Sequence, residues 1–147
     1  MSFHCEITKE KINTSDFMIH FKNPLHGALS TFFGIVREYN LGKQVISIEY
    51  DAFVPLTRKC FETLCTEVQT QWGIDLQIIV LHRIGRLFVG DISVAIGVSS
   101  MHRDESFLAS RYLIEELKKR APIWKKEYYA HGTSEWVKGH ALCQHRP

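Results

Sequence analysis

The chain has 147 residues, 45% of them apolar, with 18 Lys plus Arg against 16 Asp plus Glu and a net charge of +2. That length suits a single domain, residues 1–147, with a core of its own, and the small net charge excludes general nucleic-acid binding. No apolar run approaches the ~20 residues of a membrane span, and the N-terminus MSFHCEITKEK has no apolar signal segment, which predicts a cytoplasmic protein acting away from membranes.

In chain order, FHCEIT (3–8) alternates weakly and predicts an edge strand. Asn13, Thr14 or Ser15 can cap a short helix running to Phe21, before a loop marked by Asn23-Pro24 and His26-Gly27. GALSTFFGIVRE (27–38) carries apolar groups on both faces and predicts a central strand, with Gly34 leaving room for a close approach and Arg37 at its end. A turn at 40–43 leads to a strand over Val45 to Phe53, with Ile46, Ile48 and Tyr50 on one face, so a hairpin is expected here. Pro55 opens a helix whose apolar stripe reads Leu56, Cys60, Leu64, Val68 and Trp72, closed by Gly73.

Leu76 to Leu81 predicts a strand, HRIGR (82–86) leads to a turn near Gly90-Asp91, and Ile92 to Val98 predicts its hairpin partner. SSMHRDE (99–105) then opens a helix, with Ser100 or Asp104 as cap and Asp104 and Glu105 suited to its positive end. In that helix Phe107, Ser110, Ile114, Leu117 and Ala121 form one face, and Lys118 lies one turn beyond Ile114 at its edge. Lys119 falls among solvated positions. Ser134 to Lys138 predicts a last short strand, and residues 139–147 a loosely held tail.

Charge is concentrated in Lys118 to Glu127, KKRAPIWKKE, where five of the first nine residues are cations and no acid precedes Glu127. Pro122 cannot continue a helical ladder and pushes Ala121 out of the helical region, so these cations lie on two elements meeting at a rigid corner. After the corner, alternation puts Ile123, Lys125 and Glu127 on one side and Trp124, Lys126 and Tyr128 on the other, and leaves open which side faces a pocket. Arg37, His102, Arg103, Lys118 and Lys125 form the candidate site. Guanidinium groups bind phosphate bidentately, and lysines act as point charges and proton carriers. Taken singly, Arg37 and Arg103 read more often as surface ion-pair partners, His102 as a helix-cap or core histidine, Lys118 as snorkelling over apolar surface, and Lys125 and Lys126 as solvated. The four cysteines, Cys5, Cys60, Cys65 and Cys143, make no C-x-x-C pair and no zinc-ligand spacing, and none sits in a basic loop. They read as small apolar side chains.

Five segments, FFGIVREYNLGK (32–43), ISIEYDAFVP (46–55), HRIGRLFVGD (82–91), VSSMHRDESFLA (98–109) and LKKRAPIWKKE (117–127), together resemble the large, catalytic subunit of molybdopterin synthase. They run in order and cover most of residues 27–137. The resemblance implies an α/β hammerhead fold with an additional antiparallel β subdomain. It implies a homodimer carrying a small ubiquitin-like subunit at each end, a heterotetramer overall. The small subunit's C-terminal Gly-Gly thiocarboxylate threads into the pocket and delivers two sulfurs to cyclic pyranopterin monophosphate, forming molybdopterin with no metal or other cofactor. On the matching positions, Lys118 is the main catalytic lysine and Lys125 a second functional one. Arg37, His102 and Arg103 bind the substrate, with the His-Arg pair available from across the dimer interface. The backbone at Ile35 and Val36, with Lys126 and Glu127, lines the pocket. Met101 departs from the smaller residue or proline common at that position, and the tail GHALCQHRP falls outside the match. The competing readings are a non-catalytic phosphate- or nucleotide-binding module, a scaffold that holds a ubiquitin-like tail without reacting, and a cysteine-based sulfurtransferase.

Overall fold

The computed structural model describes residues 3–131 and 135–137; the predicted tail lies outside them. The chain runs β1 (Phe3–Thr8), α1 (Thr14–Met18), β2 (Ala28–Ile35), β3 (Tyr39–Asn40), β4 (Lys43–Ala52) and α2 (Val54–Trp72). It continues through β5 (Gln77–Arg83), β6 (Gly85–Phe88), β7 (Ile92–Ser100), α3 (Arg103–Arg120), β8 (Ile123–Tyr129) and β9 (Glu135–Val137). One sheet has the order β1-β5-β7-β2, with β1 parallel to β5 and the other pairs antiparallel. A second sheet, wholly antiparallel, runs β3-β4-β8-β9 with β6 also on β4. This mixed α and β architecture agrees with the expected fold class.

The alternation of β5 and β7 divides the core. Ile78, Val80, Val94, Ile96 and Val98 face the cluster under α2 and α3, where Phe61, Leu64, Leu113 and Leu117 are buried. Ile79 and Ala95 turn to the other face and pack with Phe17 of α1. The inner face of the second sheet, through Val45, Ile48, Tyr50 and Leu87, closes onto the first cluster.

Several elements differ from the sequence reading. β2 is the edge strand of its sheet, not a central one. Phe33 packs edge-on to Phe17 at 5.4 Å on one side, whereas Leu29, Phe32 and Ile35 are exposed. Apolar residues on two faces of a strand say nothing about its hydrogen-bonding edges. The hairpin at 40–43 joins β4 to the two-residue β3, with Leu41 and Gly42 at φ 52° and 79°. β2 itself pairs in the other sheet. A bulge between Val45 and Ser47 in the pairing with β8 turns Ile46 out to solvent, off the face of Ile48 and Tyr50. β6 has no counterpart in the sequence reading; four residues are too few to show a period.

In α2 the buried stripe is Thr57, Phe61, Leu64, Cys65 and Val68, while Leu56 is exposed. A strict four-residue row drifts by about 40° per step, so one started at the exposed Leu56 reaches the core face only at Leu64 and Val68. In α3, Ser106, Ala109, Ser110, Leu113 and Leu117 are buried and Phe107 is exposed. Its N-cap is His102, without a side-chain cap bond, and the Ser100 hydroxyl donates to the His102 carbonyl instead. α1 is shorter than expected, ending at Met18, with Asn13 as its cap.

Candidate active site

α3 ends at the proline corner as its sequence requires. Ala121 is extended, at φ −76° and ψ 133°, and the Pro122 carbonyl accepts from the Phe53 amide at 3.2 Å. The corner aims Lys118 from the last helical turn and Lys125 from β8 at one cavity of about 250 Å³. The end of β2 and the segment after it supply the opposite wall, through Gly34, Ile35, Val36 and Arg37. At Gly34 the close neighbour is a side chain and not a backbone or ligand, since a Cβ there would lie 2.6 Å from Cγ1 of Val94. Register settles which side of β8 faces in: Lys125 pairs with Tyr50 and Glu127 with Ile48, and all four line the cavity. Lys126 points to the other face of β8, with its Nζ 5.2 Å from the Tyr128 ring centre, so it is not part of this wall.

Glu127 is 1% exposed. Its carboxylate accepts from Asn40 Nδ2 at 2.7 Å and from the Tyr129 hydroxyl at 2.8 Å, and pairs with Lys125 Nζ at 3.2 Å. Burial pushes its carboxyl up, but these partners outweigh burial and hold it below the ordinary carboxylate value. Glu127 therefore stays ionised and anchors Lys125.

Sequence reasoning assigned no role to His82, Tyr50, Ser93 or Asn40, which all line the cavity. His82 is 2% exposed and stacks edge-on to Tyr50 at 5.1 Å. Its Nδ1 lies 2.8 Å from the Arg83 carbonyl, which can only accept, so Nδ1 carries the proton. Burial pushes its pKa down to about 4, and the charge of Lys118 pushes the same way, against the Arg83 bond. His82 is thus neutral and leaves Nε2 as an acceptor. The signal available in the sequence was a histidine directly ending a buried apolar run (76–81).

His102 and Arg103 lie elsewhere, lining a separate depression with Gly27, Ala28 and Met101. Lys118 lies 15 residue steps along α3 from Arg103, ~22 Å at 1.5 Å per step, beyond side-chain reach. Within one chain, then, the cavity gathers Arg37, Lys118 and Lys125 against one carboxylate, Glu127, and leaves out the His-Arg pair. Three cations facing one acid in a half-enclosed space suit an anionic ligand.

The family described as MoaE protein matches residues 7–120. The molybdopterin synthase catalytic subunit of Synechococcus elongatus is 50% identical over 121 residues, spanning 82% of this chain and 73% of that protein. The chain belongs to the MoaE family. The crystal structure of molybdopterin synthase from Staphylococcus aureus superposes with a TM-score of 0.84 at 37% identity, covering 90% of this chain and 96% of that one. A Helicobacter pylori protein–protein complex of subunits 1 and 2 of molybdopterin-converting factor shares the fold, with a TM-score of 0.75 at 20% identity. Its coverage is 91% of this chain and 90% of that one. MoaE proteins of this kind are catalytic subunits, and this member is an enzyme subunit of molybdopterin biosynthesis.

The described cysteines take no part in the cavity of this MoaE chain. Cys5 and Cys65 lie 3.6 Å apart, sulfur to sulfur, between β1 and α2. The hydrogen bond to Cys5 and then burial push the Cys65 thiol up, and burial pushes up Cys60, so both are held in the unreactive thiol form. A variant with all four cysteines changed to Ala or Ser is expected to retain turnover per folded molecule. Loss of turnover in a variant with wild-type circular dichroism would show that a cysteine carries the sulfur.

Proposed function

We propose that this chain binds cyclic pyranopterin monophosphate in the cavity between α3, β8 and the end of β2. There two sulfurs pass to it, one from the C-terminal thiocarboxylate of each of two small ubiquitin-like subunits acting in turn, each left as a carboxylate, forming the dithiolene of molybdopterin in the cytoplasm. The observation that carries this reading is the convergence of Arg37, Lys118 and Lys125 on one cavity with a single buried carboxylate. Both reactants are anions, so the cavity's charge favours holding them together despite their mutual repulsion.

Arg37 takes phosphate or thiocarboxylate oxygens bidentately. Lys118 is the catalytic lysine. As the thiocarboxylate sulfur attacks carbon, negative charge moves onto the substrate, and a cation fixed there in a partly dry site stabilises it more than bulk water does. The same amine is placed to carry a proton to or from the reacting atoms. Lys125, held by Glu127 at 3.2 Å, supplies a second fixed positive charge. Neutral His82 offers an acceptor on the wall without adding a fourth cation. Ile35 and Val36 contribute backbone to the wall beside Arg37.

His102 and Arg103 complete the site from a second copy of the chain. β2 is an edge strand that runs from Ala28, beside the His102 depression, to Ile35, beside the cavity. Antiparallel pairing of two such edges about a twofold axis sets one copy's His102 end against the other's Arg37 end. Leu29, Phe32 and Ile35 are exposed along this strand. With one small subunit at each end, the assembly is a heterotetramer.

The test is incubation of the purified chain with pyranopterin monophosphate and a thiocarboxylated small subunit, with molybdopterin read as its fluorescent oxidised derivative. Product formation supports the reading. A folded chain that binds the small subunit and makes no product would leave a scaffold, and one that binds only phosphate would leave a binding module.

A further inference from the structure

Asn40 stands between the two charged walls of the cavity. It ends β3, and the tight turn at Leu41-Gly42 fixes its backbone against Lys43 of β4. Arg37 Nη2 donates to its Oδ1 at 3.2 Å, and its Nδ2 donates to Glu127 Oε2 at 2.7 Å. A guanidinium can only donate and a carboxylate can only accept, so the amide has one orientation, and flipping it breaks both bonds. Glu127 Oε2 in turn pairs with Lys125 Nζ at 3.2 Å. The result is a continuous series, Arg37 to Asn40 to Glu127 to Lys125, that ties a cation on one wall to a cation on the other.

We propose that Asn40 is a positioning residue of this site, holding Arg37 at a set distance from the Lys125–Glu127 pair so that both cations meet one bound anion. An amide suits this task better than the alternatives. An aspartate would hold Arg37 more strongly, but it would set a second carboxylate 2.7 Å from Glu127, where two negative charges do not coexist. It would also lower the excess of positive charge from three against one to three against two. An apolar residue would release Arg37 into solvent and remove one of the bonds that keep Glu127 ionised. The inference rests on reading the cavity as an anion site, and its test separates the two claims.

The experiment uses the full chain as wild type, Asn40→Ala and the near-isosteric Asn40→Asp, which keeps the hairpin should the alanine variant not fold. Inorganic phosphate binding is followed by the Arg37 side-chain signal in NMR, Glu127 is titrated through its carboxyl carbon, and turnover is measured with the small subunit. Asn40→Ala is expected to weaken phosphate and to lower kcat/KM by about 10–100-fold, mostly through KM, since a hydrogen bond to a charged group is lost. Its Glu127 carboxyl should titrate higher than in wild type. Asn40→Asp should regain binding and turnover relative to wild type as pH falls, because a proton shared between the introduced carboxyl and Glu127 restores the missing bond. A purely structural role would instead lower stability and leave the pH profile unchanged in shape, which overturns the proposal. So does Asn40→Ala binding and turning over like wild type. If the wild type makes no molybdopterin yet Asn40→Ala still weakens phosphate and shifts Glu127, the sulfur-transfer reading fails and the positioning role stands.

Discussion

Lys118→Ala is expected to cut molybdopterin formation by about 10²–10⁴-fold, the range for removing a group that moves a proton or fixes charge at the reacting atoms. Binding should change far less. Arg37 and Lys125 remain on the cavity wall to hold an anionic ligand. The fold should hold, because Lys118 is in the last turn of α3 and Leu117 beside it is the buried residue. A cation there interacts favourably with the helix end, worth about 0.3–1 kcal/mol, and alanine is the best helix former, so the two effects nearly offset. Single-turnover rates, with small-subunit affinity measured alongside, decide the matter. A variant that turns over normally removes Lys118 from the chemistry. One that loses binding and rate together makes it a ligand-holding residue instead. Lys119→Ala is the control: its side chain is solvated and pairs with Glu116 at 3.5 Å, and it should leave the rate unchanged.

The second large effect is complementation between two dead chains. Lys118→Ala and Arg103→Ala homodimers should each be inactive or nearly so. A mixed dimer of the two has one site that lacks both groups and one that lacks neither. Random mixing at equal amounts makes half the dimers mixed, so activity should return to about a quarter of wild type. The physical ground is the rigid span of α3, ~22 Å from Arg103 to Lys118, which keeps the two groups apart within one chain. No recovery in a preparation shown by mass spectrometry to contain mixed dimers would mean that the His-Arg pair serves the same chain's site or none. His102→Ala mixed with Lys118→Ala should behave alike.

The pocket-lining assignments show how unevenly the site was readable. Lys118 and Lys125 were found because a proline corner inside a run of cations is a local feature, and the corner formed as expected, with Ala121 extended. Lys126 enters the pocket only through the family resemblance, and the strand period sends it to the face opposite Lys125. His82 was passed over because one histidine after an apolar run has no special pattern. Its importance comes from Tyr50 and Lys118 packed around it from other elements.

By itself the sequence determined the kinds of element and where most of them begin and end. Pro55, Gly73 and Pro122 act on their own backbone and nearest neighbours, so the start of α2, its end and the end of α3 could be placed without the rest of the chain. It also determined the family, because five segments in order carry far more information than any single motif. Tertiary structure alone decided that β2 is an edge, that the Lys125–Glu127 side of β8 faces in, and that His102 and Arg103 stand apart from Lys118. It also decided that Asn40 meets Glu127, 87 residues later. The reason is the same in each case. A period of two shows that a strand has two faces, but which face is buried and which edge is paired depend on partners distant in sequence, and a charged site is the sum of such pairings.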